Sequence, residues 1–232
     1  MGIWLPRHRE GKWSVPVEVA NGAETEDPRV NCLNPVLFQM PKGPRLARAF
    51  QAQHELAGSP GSSSGRFIGP VNDGHQIQAI QPGILFHPNN RLQALGRTQQ
   101  GRLFEIWSED GGLSWGQMSL MDLPNNNSGT DALTLRDGRH VLVYNHTGNR
   151  EGKSNGERSP LNVALSQDGK AWEAALVLES EPKREFSYPA VVQTRDGLVH
   201  ITYTYRRENI CHLVIDPAKL TLKPIMKGMW PQ

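Results

Sequence analysis

Only two cysteines, Cys32 and Cys211, occur in 232 residues. Two thiols build neither a disulfide framework nor a metal-ligand cluster, and they read as separate thiols in a soluble protein. Charge of one sign is missing too. The 25 basic and 23 acidic residues leave a net +2 with no polybasic run, which argues against a nucleic-acid footprint and against a membrane-surface patch. Long apolar runs are absent: Ile84-Leu85-Phe86 and Ala174 to Leu178 are far short of a membrane span. Met1 to Arg9 mixes charge with proline and shows no apolar central region, so no secretory signal is visible and a cytoplasmic location is the default expectation. Helical periodicity is scarce. No spacing of His, Cys or carboxylates indicates a metal site, and no cofactor is expected.

What the chain does contain is short strand-like runs separated by turns. Leu92 to Leu95, Leu103 to Trp107, Ala132 to Leu135, His140 to Asn145 and Leu161 to Leu165 are rich in apolar residues. Ala190 to Thr194, Leu198 to Tyr205 and Asn209 to Ile215 continue the series, and His200 to Tyr205 alternates apolar and polar side chains. Asp137-Gly138, Asp168-Gly169 and Asp196-Gly197 punctuate them, and Asp-Gly between apolar runs is a strong hairpin signal because glycine tolerates positive φ. The expectation is an all-β meander in one domain spanning 1–232. An irregular, linker-like stretch at about 41–66 interrupts it, around Gly58-Ser59-Pro60-Gly61-Ser62-Ser63-Ser64-Gly65. Asn126-Asn127-Ser128 and Asn145-His146-Thr147 are glycosylation sequons of little weight without a signal.

Repeats narrow the architecture. Ser108-Glu109-Asp110-Gly111-Gly112-Leu113-Ser114-Trp115 fits the Asp-box pattern Ser-x-Asp-x-Gly-x-x-Trp, and Ser166-Gln167-Asp168-Gly169-Lys170-Ala171-Trp172 is a copy one residue shorter. Arg9-Glu10-Gly11-Lys12-Trp13-Ser14 is a weaker third copy. Trp115 and Trp172 stand 57 positions apart, close to the length of a four-stranded propeller blade. The Asp and Ser side chains suit backbone amides of a tight hairpin, and the Trp packs beside it. That reading makes the boxes structural rather than chemical.

The chain resembles the sialidase (neuraminidase) superfamily of Asp-box, or BNR-repeat, proteins. The stretches that carry the resemblance are Ile80-Gln81-Pro82-Gly83-Ile84-Leu85-Phe86, Arg91 to Thr98, Leu123 to Ala132, Val143 to Thr147 and Leu161 to Ser166. Phe186-Ser187-Tyr188-Pro189-Ala190-Val191, Val199 to Arg207 and the early Asn34-Pro35-Val36-Leu37-Phe38-Gln39 complete them. The resemblance implies a six-bladed sialidase-type β-propeller of roughly 300 residues. Against that length the chain is expected to lack about one blade in its N-terminal half.

The resemblance also implies a glycoside hydrolase acting on an exposed, acidic sugar of a glycan. Sialidases use a tyrosine nucleophile paired with a glutamate, an aspartate acid/base and three arginines that grip the substrate carboxylate. This chain departs from the pattern twice. It has no Phe-Arg-Ile-Pro motif, and the position that resembles the nucleophile, in Glu185-Phe186-Ser187-Tyr188, holds Phe186 with Tyr188 displaced in register. Asp131, Glu105 and Tyr188 are the catalytic candidates. Arg97, Gln81, Asn127, Asn145, His146 and Arg206 are the substrate-binding candidates, with Arg206 or Arg207 facing the centre because strand side chains alternate. Each has a plainer alternative: Asp131 and the Asn residues as turn caps, Glu105 as an exposed strand carboxylate, Tyr188 as a packed ring. The competing functional readings are a non-catalytic carbohydrate-binding or degenerate propeller and a protein-interaction platform.

Overall fold

The computed structural model describes residues 71–232, together with Val15 and the backbone of four short strands nearer the N-terminus. The linker-like stretch at 41–66, Asn34 to Gln39 and Cys32 lie outside the described residues. The chain divides into two compact units, Met1–Phe67 and Ile68–Gln232.

In the first unit β1 (Ile3–Leu5) pairs antiparallel with β4 (Val17–Ala20), and β2 (His8–Arg9) pairs with β3 (Lys12–Trp13). The weak third Asp-box copy therefore falls on a two-stranded ladder, His8 opposite Trp13.

The second unit is three successive antiparallel meanders. The first sheet runs β5 (Ala79–Phe86), β6 (Leu92–Thr98), β7 (Arg102–Ser108) and β8 (Ser119–Pro124) in spatial order. The second runs β9 (Asp131–Thr134), β10 (His140–Tyr144), β11 (Leu161–Ser166) and β12 (Trp172–Glu179). The third is β13 (Phe186–Gln193), β14 (Val199–Tyr205) and β15 (Asn209–Ile215), and β16 (Lys223–Pro224) returns to the outer edge of the second sheet. Within each meander chain-order neighbours are spatial neighbours, as in the up-and-down blades of a β-propeller.

The first strand of each meander is the innermost. Phe86 N–H donates to Thr134 Oγ1 at 2.8 Å, linking β5 to β9. Val191 N–H donates to Asp131 Oδ2 at 2.7 Å, and Arg136 N–H donates to Gln193 Oε1 at 2.9 Å, so β9 and the turn after it meet β13. These links match higher residue numbers with higher ones, so the three inner strands run in the same direction. All three begin at the same end.

Packing explains why β10 and β11 are buried at every position rather than at alternate ones. Leu142, Tyr144 and Ala164 face the first sheet and join Leu85, Leu95, Leu103, Met121, Leu123 and Trp172. Val141, Val143, Val163 and Leu165 face the third sheet and join Phe186, Val191, Val199, Ile201 and Tyr203. A strand sandwiched on both faces loses the period-2 polarity that a half-exposed strand shows.

Both Asp-boxes join the third strand of a blade to the fourth. Ser108 Oγ donates to Asp110 Oδ1 at 2.8 Å and accepts Gly112 N–H at 2.8 Å, while Asp110 Oδ1 accepts the amides of Leu113 and Ser114, both at 2.9 Å. In the second box Ser166 Oγ accepts Gly169 N–H at 2.9 Å, and Asp168 Oδ1 accepts Lys170 and Ala171 N–H, both at 2.8 Å. Six hairpin amides, three in each box, are held in this way. The second box also locks two blades together, because Gln93 Nε2 on β6 donates to Gly169 O at 2.9 Å. The boxes are structural, as their sequence suggests.

Candidate functional site

Two of the three inner strands open with the same irregularity. In β5 the register slips between Ile80 and Gly83, and in β13 between Ser187 and Ala190. Each slip holds a non-glycine residue at left-handed φ, Gln81 at 55° and Tyr188 at 51°, directly before a proline. Both conditions disfavour an ordinary side chain, so the surrounding structure holds them in place. Conformations of this cost gather where a side chain must be aimed. The result turns Tyr188 outward, 45% exposed, while Phe186 is wholly buried in the core. The register ambiguity of the sequence is resolved: Tyr188, not Phe186, is available at the surface.

Around Tyr188 the structure gathers cations. Arg158 lies over its ring, guanidinium carbon to centroid 5.1 Å. Arg97, near the end of β6, is close enough for its charge to feel both Tyr188 and Arg158. Burial lowers the pKa of Arg97 from its ordinary value, with Arg158 adding to the effect and Tyr188 opposing it. Arg97 Nη1 donates to Asn127 O at 2.8 Å, whereas its Nε is buried with no protein partner. Gln81 Oε1 is likewise buried and unpartnered, and a β-carbon on Gly129 would sit 3.1 Å from the Tyr188 ring and 3.8 Å from Gln81 Oε1. Gly129 thus lets Gln81 and Tyr188 approach one another.

Glu185 organises the cationic side. Its Oε1 accepts Arg158 Nη1 at 2.7 Å and Ser187 Oγ at 2.9 Å, and its Oε2 accepts Arg207 Nε at 2.7 Å. Burial pushes the Glu185 carboxyl up, but the bonds from Arg207 and Ser187 and the charge of Arg158 outweigh it, leaving the pKa below its ordinary value. Arg158 and Glu185 were not among the sequence candidates for the site, whereas Arg207 was the alternative to Arg206. Glu185 shares strand alternation with Ser187, which is a usable signal. Arg158 sits in a loop where no periodicity points to it.

Asp131 opens β9 at the same end. Its Oδ1 accepts Ala132 N–H at 2.9 Å and its Oδ2 accepts Val191 N–H at 2.7 Å. Burial raises its pKa to about 6, against the opposing effect of those two amides. A carboxyl group poised there can hold or release a proton in the mildly acidic range.

Several sequence candidates are placed elsewhere. Glu105, expected to enter the channel, lies on β7, third strand from the centre. Its Oε2 accepts Gln93 Nε2 and Trp107 Nε1, both at 2.8 Å, beside the second Asp-box. Strand alternation turned it away from Phe104 as expected, but toward the periphery. Asn145 is fully buried, and its Nδ2 donates to Pro160 O at 2.8 Å and Phe186 O at 3.0 Å. It ties a loop to β13 and presents no donor to a sugar. His146 has both ring nitrogens engaged, with Tyr144 Oη at 2.6 Å and Gly228 O at 3.1 Å. Burial pulls its pKa down to about 4. Arg206 pairs with Glu181 and lies over Tyr205, so of the two adjacent arginines it is Arg207 that reaches the Glu185 group. Asn127 supplies its backbone carbonyl to Arg97 while its Nδ2 donates to Ser154 O at 3.0 Å. Asp131, Tyr188, Arg97 and Gln81 are therefore brought to one end, with Asn127 beside Arg97. Neither sequon presents its asparagine, because Asn126 and Asn145 are both buried.

Among the described residues no helix is long and apolar enough to cross a membrane, and no group of three or more His, Cys, Asp or Glu could hold a metal ion. No curated protein matches the chain. Similar solved structures include the K499G mutant of NanB sialidase from Streptococcus pneumoniae, at 15% identity and TM-score 0.45, covering 61% of this chain and 24% of that one. The leech intramolecular trans-sialidase follows at 17% identity and TM-score 0.44, covering 62% and 23%. The Bacillus subtilis arabinanase Arb43A is 15% identical with TM-score 0.43, covering 61% and 53%. The chain spans about a quarter of the length of the two sialidases. The family model for a BNR repeat-like domain matches residues 59–201, more than half of the sequence. With its consecutive Asp-box blades, the chain belongs to the BNR repeat-like family.

Proposed function

We propose that this protein is a sialidase-like glycoside hydrolase that acts on an exposed acidic sugar of a glycan. The observation that carries this reading is the group formed by Arg97, Arg158 and Tyr188 at the start of the inner strands, with unpartnered polar atoms on Arg97 and Gln81. Guanidinium groups match a carboxylate in shape as well as charge. A neutral phenol beside them approaches an anionic sugar without the repulsion of a carboxylate. In this reading Tyr188 Oη attacks the anomeric carbon, its phenol proton passing to solvent, as Asp131 gives its proton to the departing glycosidic oxygen. Water then displaces Tyr188 from the sugar, giving one proton to Asp131, while the released phenolate recovers its proton from solvent. The raised pKa of Asp131 suits that exchange.

A second reading, a non-catalytic carbohydrate-binding propeller, draws on a specific observation as well. Both oxygens of Asp131 are engaged by backbone amides, and Glu185 is committed to Arg158, Ser187 and Arg207. Turnover of aryl glycosides of sialic acid, uronic acids and neutral sugars separates the two. The hydrolase reading expects release from an acidic glycoside that Asp131→Asn abolishes. Folded protein that binds acidic sugars and turns over none of the panel supports the binding reading.

A further inference from the structure

The third sheet has one face packed against the second and the other turned outward, carrying Val192, Ile210 and Val214. Strand alternation puts His200, Thr202 and Thr204 of β14 on that outer face, with Ile210, His212 and Val214 of β15 opposite. In the ladder Thr202 stands opposite His212 and His200 opposite Val214, so the two histidines are diagonal neighbours, within reach of long side chains. Their rings do meet: His200 Nδ1 and His212 Nε2 are 2.9 Å apart. The ring planes are nearly parallel, 17°, with centroids 5.2 Å apart. At that separation the rings meet nitrogen to nitrogen rather than face to face.

Two imidazole nitrogens held at this distance on a rigid antiparallel ladder have the spacing of a metal chelate. With metal–nitrogen bonds of about 2.0–2.1 Å, nitrogens roughly 2.9 to 3.4 Å apart span bite angles from square to tetrahedral. The observed 2.9 Å is at the square end, the geometry that tetragonal Cu²⁺ and Ni²⁺ adopt with N and O ligands. We propose that His200 and His212 form a two-imidazole site for a divalent transition-metal ion, with Cu²⁺ favoured, made of residues that take no part in the sugar site. Rotation of each ring by about 45° turns its lone pair from the neighbouring nitrogen toward a shared ion at the metal–nitrogen distance, and water fills the remaining positions. Two histidines cannot be found as a site by sequence spacing, because positions 200 and 212 meet only once the β14–β15 hairpin pairs in register.

Isothermal titration of the full chain with Cu²⁺, Ni²⁺, Zn²⁺ and Mg²⁺ tests the site, with electron paramagnetic resonance of the Cu²⁺ form reporting its nitrogen ligands. The expected result is one saturable Cu²⁺ site with two nitrogen ligands, Ni²⁺ and Zn²⁺ weaker, and no Mg²⁺ binding. His200→Gln and His212→Gln each weaken Cu²⁺ by about tenfold or more, while the control His75→Gln does not. Circular dichroism melts of the variants confirm that they are folded. No saturable Cu²⁺ binding, or binding that survives both substitutions unchanged, overturns the proposal.

Discussion

Asp131 at the start of β9 receives the backbone N–H of Val191 on β13 at 2.7 Å, so a carboxylate at the proposed sugar site also joins two neighbouring blades. The same burial that raises its pKa to about 6 places the bond in a poorly solvated setting. Positioning and proton affinity come from one arrangement.

Stability follows from that pKa with a definite sign. An unfolded Asp loses its proton near its ordinary value of 3.8, whereas folded Asp131 keeps it until about 6. Between those values the native state binds more protons, so this residue's contribution to stability falls as pH rises through the window. The expected loss between pH 4 and pH 7 is on the order of 2–3 kcal/mol. Urea unfolding at the two pH values should show that component in the native protein. In Asp131→Asn, which does not titrate, it should be absent.

Glu185 behaves in the opposite sense. Its carboxyl is held below its ordinary value of 4.5, so its contribution is present above that pH and is lost as pH falls below it. Glu185→Gln removes the charge from between Arg158 and Arg207, which should cost about 1–3 kcal/mol at neutral pH. A double-mutant cycle with Arg158→Ala should show strong coupling. Additive effects would mean that Glu185 does not hold Arg158.

The Asp-box serines should affect the fold and leave the site alone. Ser166 is buried and its Oγ accepts the N–H of Gly169, which is buried as well. Ser166→Ala strands that amide and should lower stability by about 1–2 kcal/mol. Sugar affinity measured on the folded variant should stay at the native level, because no bond of Ser166 runs to Arg97, Arg158 or Tyr188.

Much of the fold could be read from local chemistry. Asp-Gly turns, apolar runs and the two Asp-boxes depend on neighbouring residues, and the boxes appear in the structure on equivalent hairpins. Strand β8 was harder: its alternation of exposed Leu120 and Asp122 with buried Met121 and Leu123 is broken by no apolar run. The site was only partly legible. Gln81 and Tyr188 share a visible pattern, each followed by proline, and the pattern marks real backbone slips. Arg158 and Arg207 could not be ranked from sequence, since their roles depend on Glu185 drawing a loop and a hairpin together. Glu105 misled because alternation gives a face, not which neighbour covers that face, and His146 because a place at a strand end does not show that Tyr144 and Gly228 take both ring nitrogens.

The central claim is that the start of the inner strands forms an acidic-sugar site. Titration of the purified chain with sialic acid, glucuronic acid and glucose, followed by ligand-observed NMR, tests it most directly. Saturable binding of an acidic sugar over glucose is expected, weakened about tenfold or more in Arg158→Ala, as follows when a charge-assisted hydrogen bond to a carboxylate is lost. Equal affinity for acidic and neutral sugars, or acidic-sugar binding that Arg158→Ala and Arg97→Ala both leave intact, would contradict it.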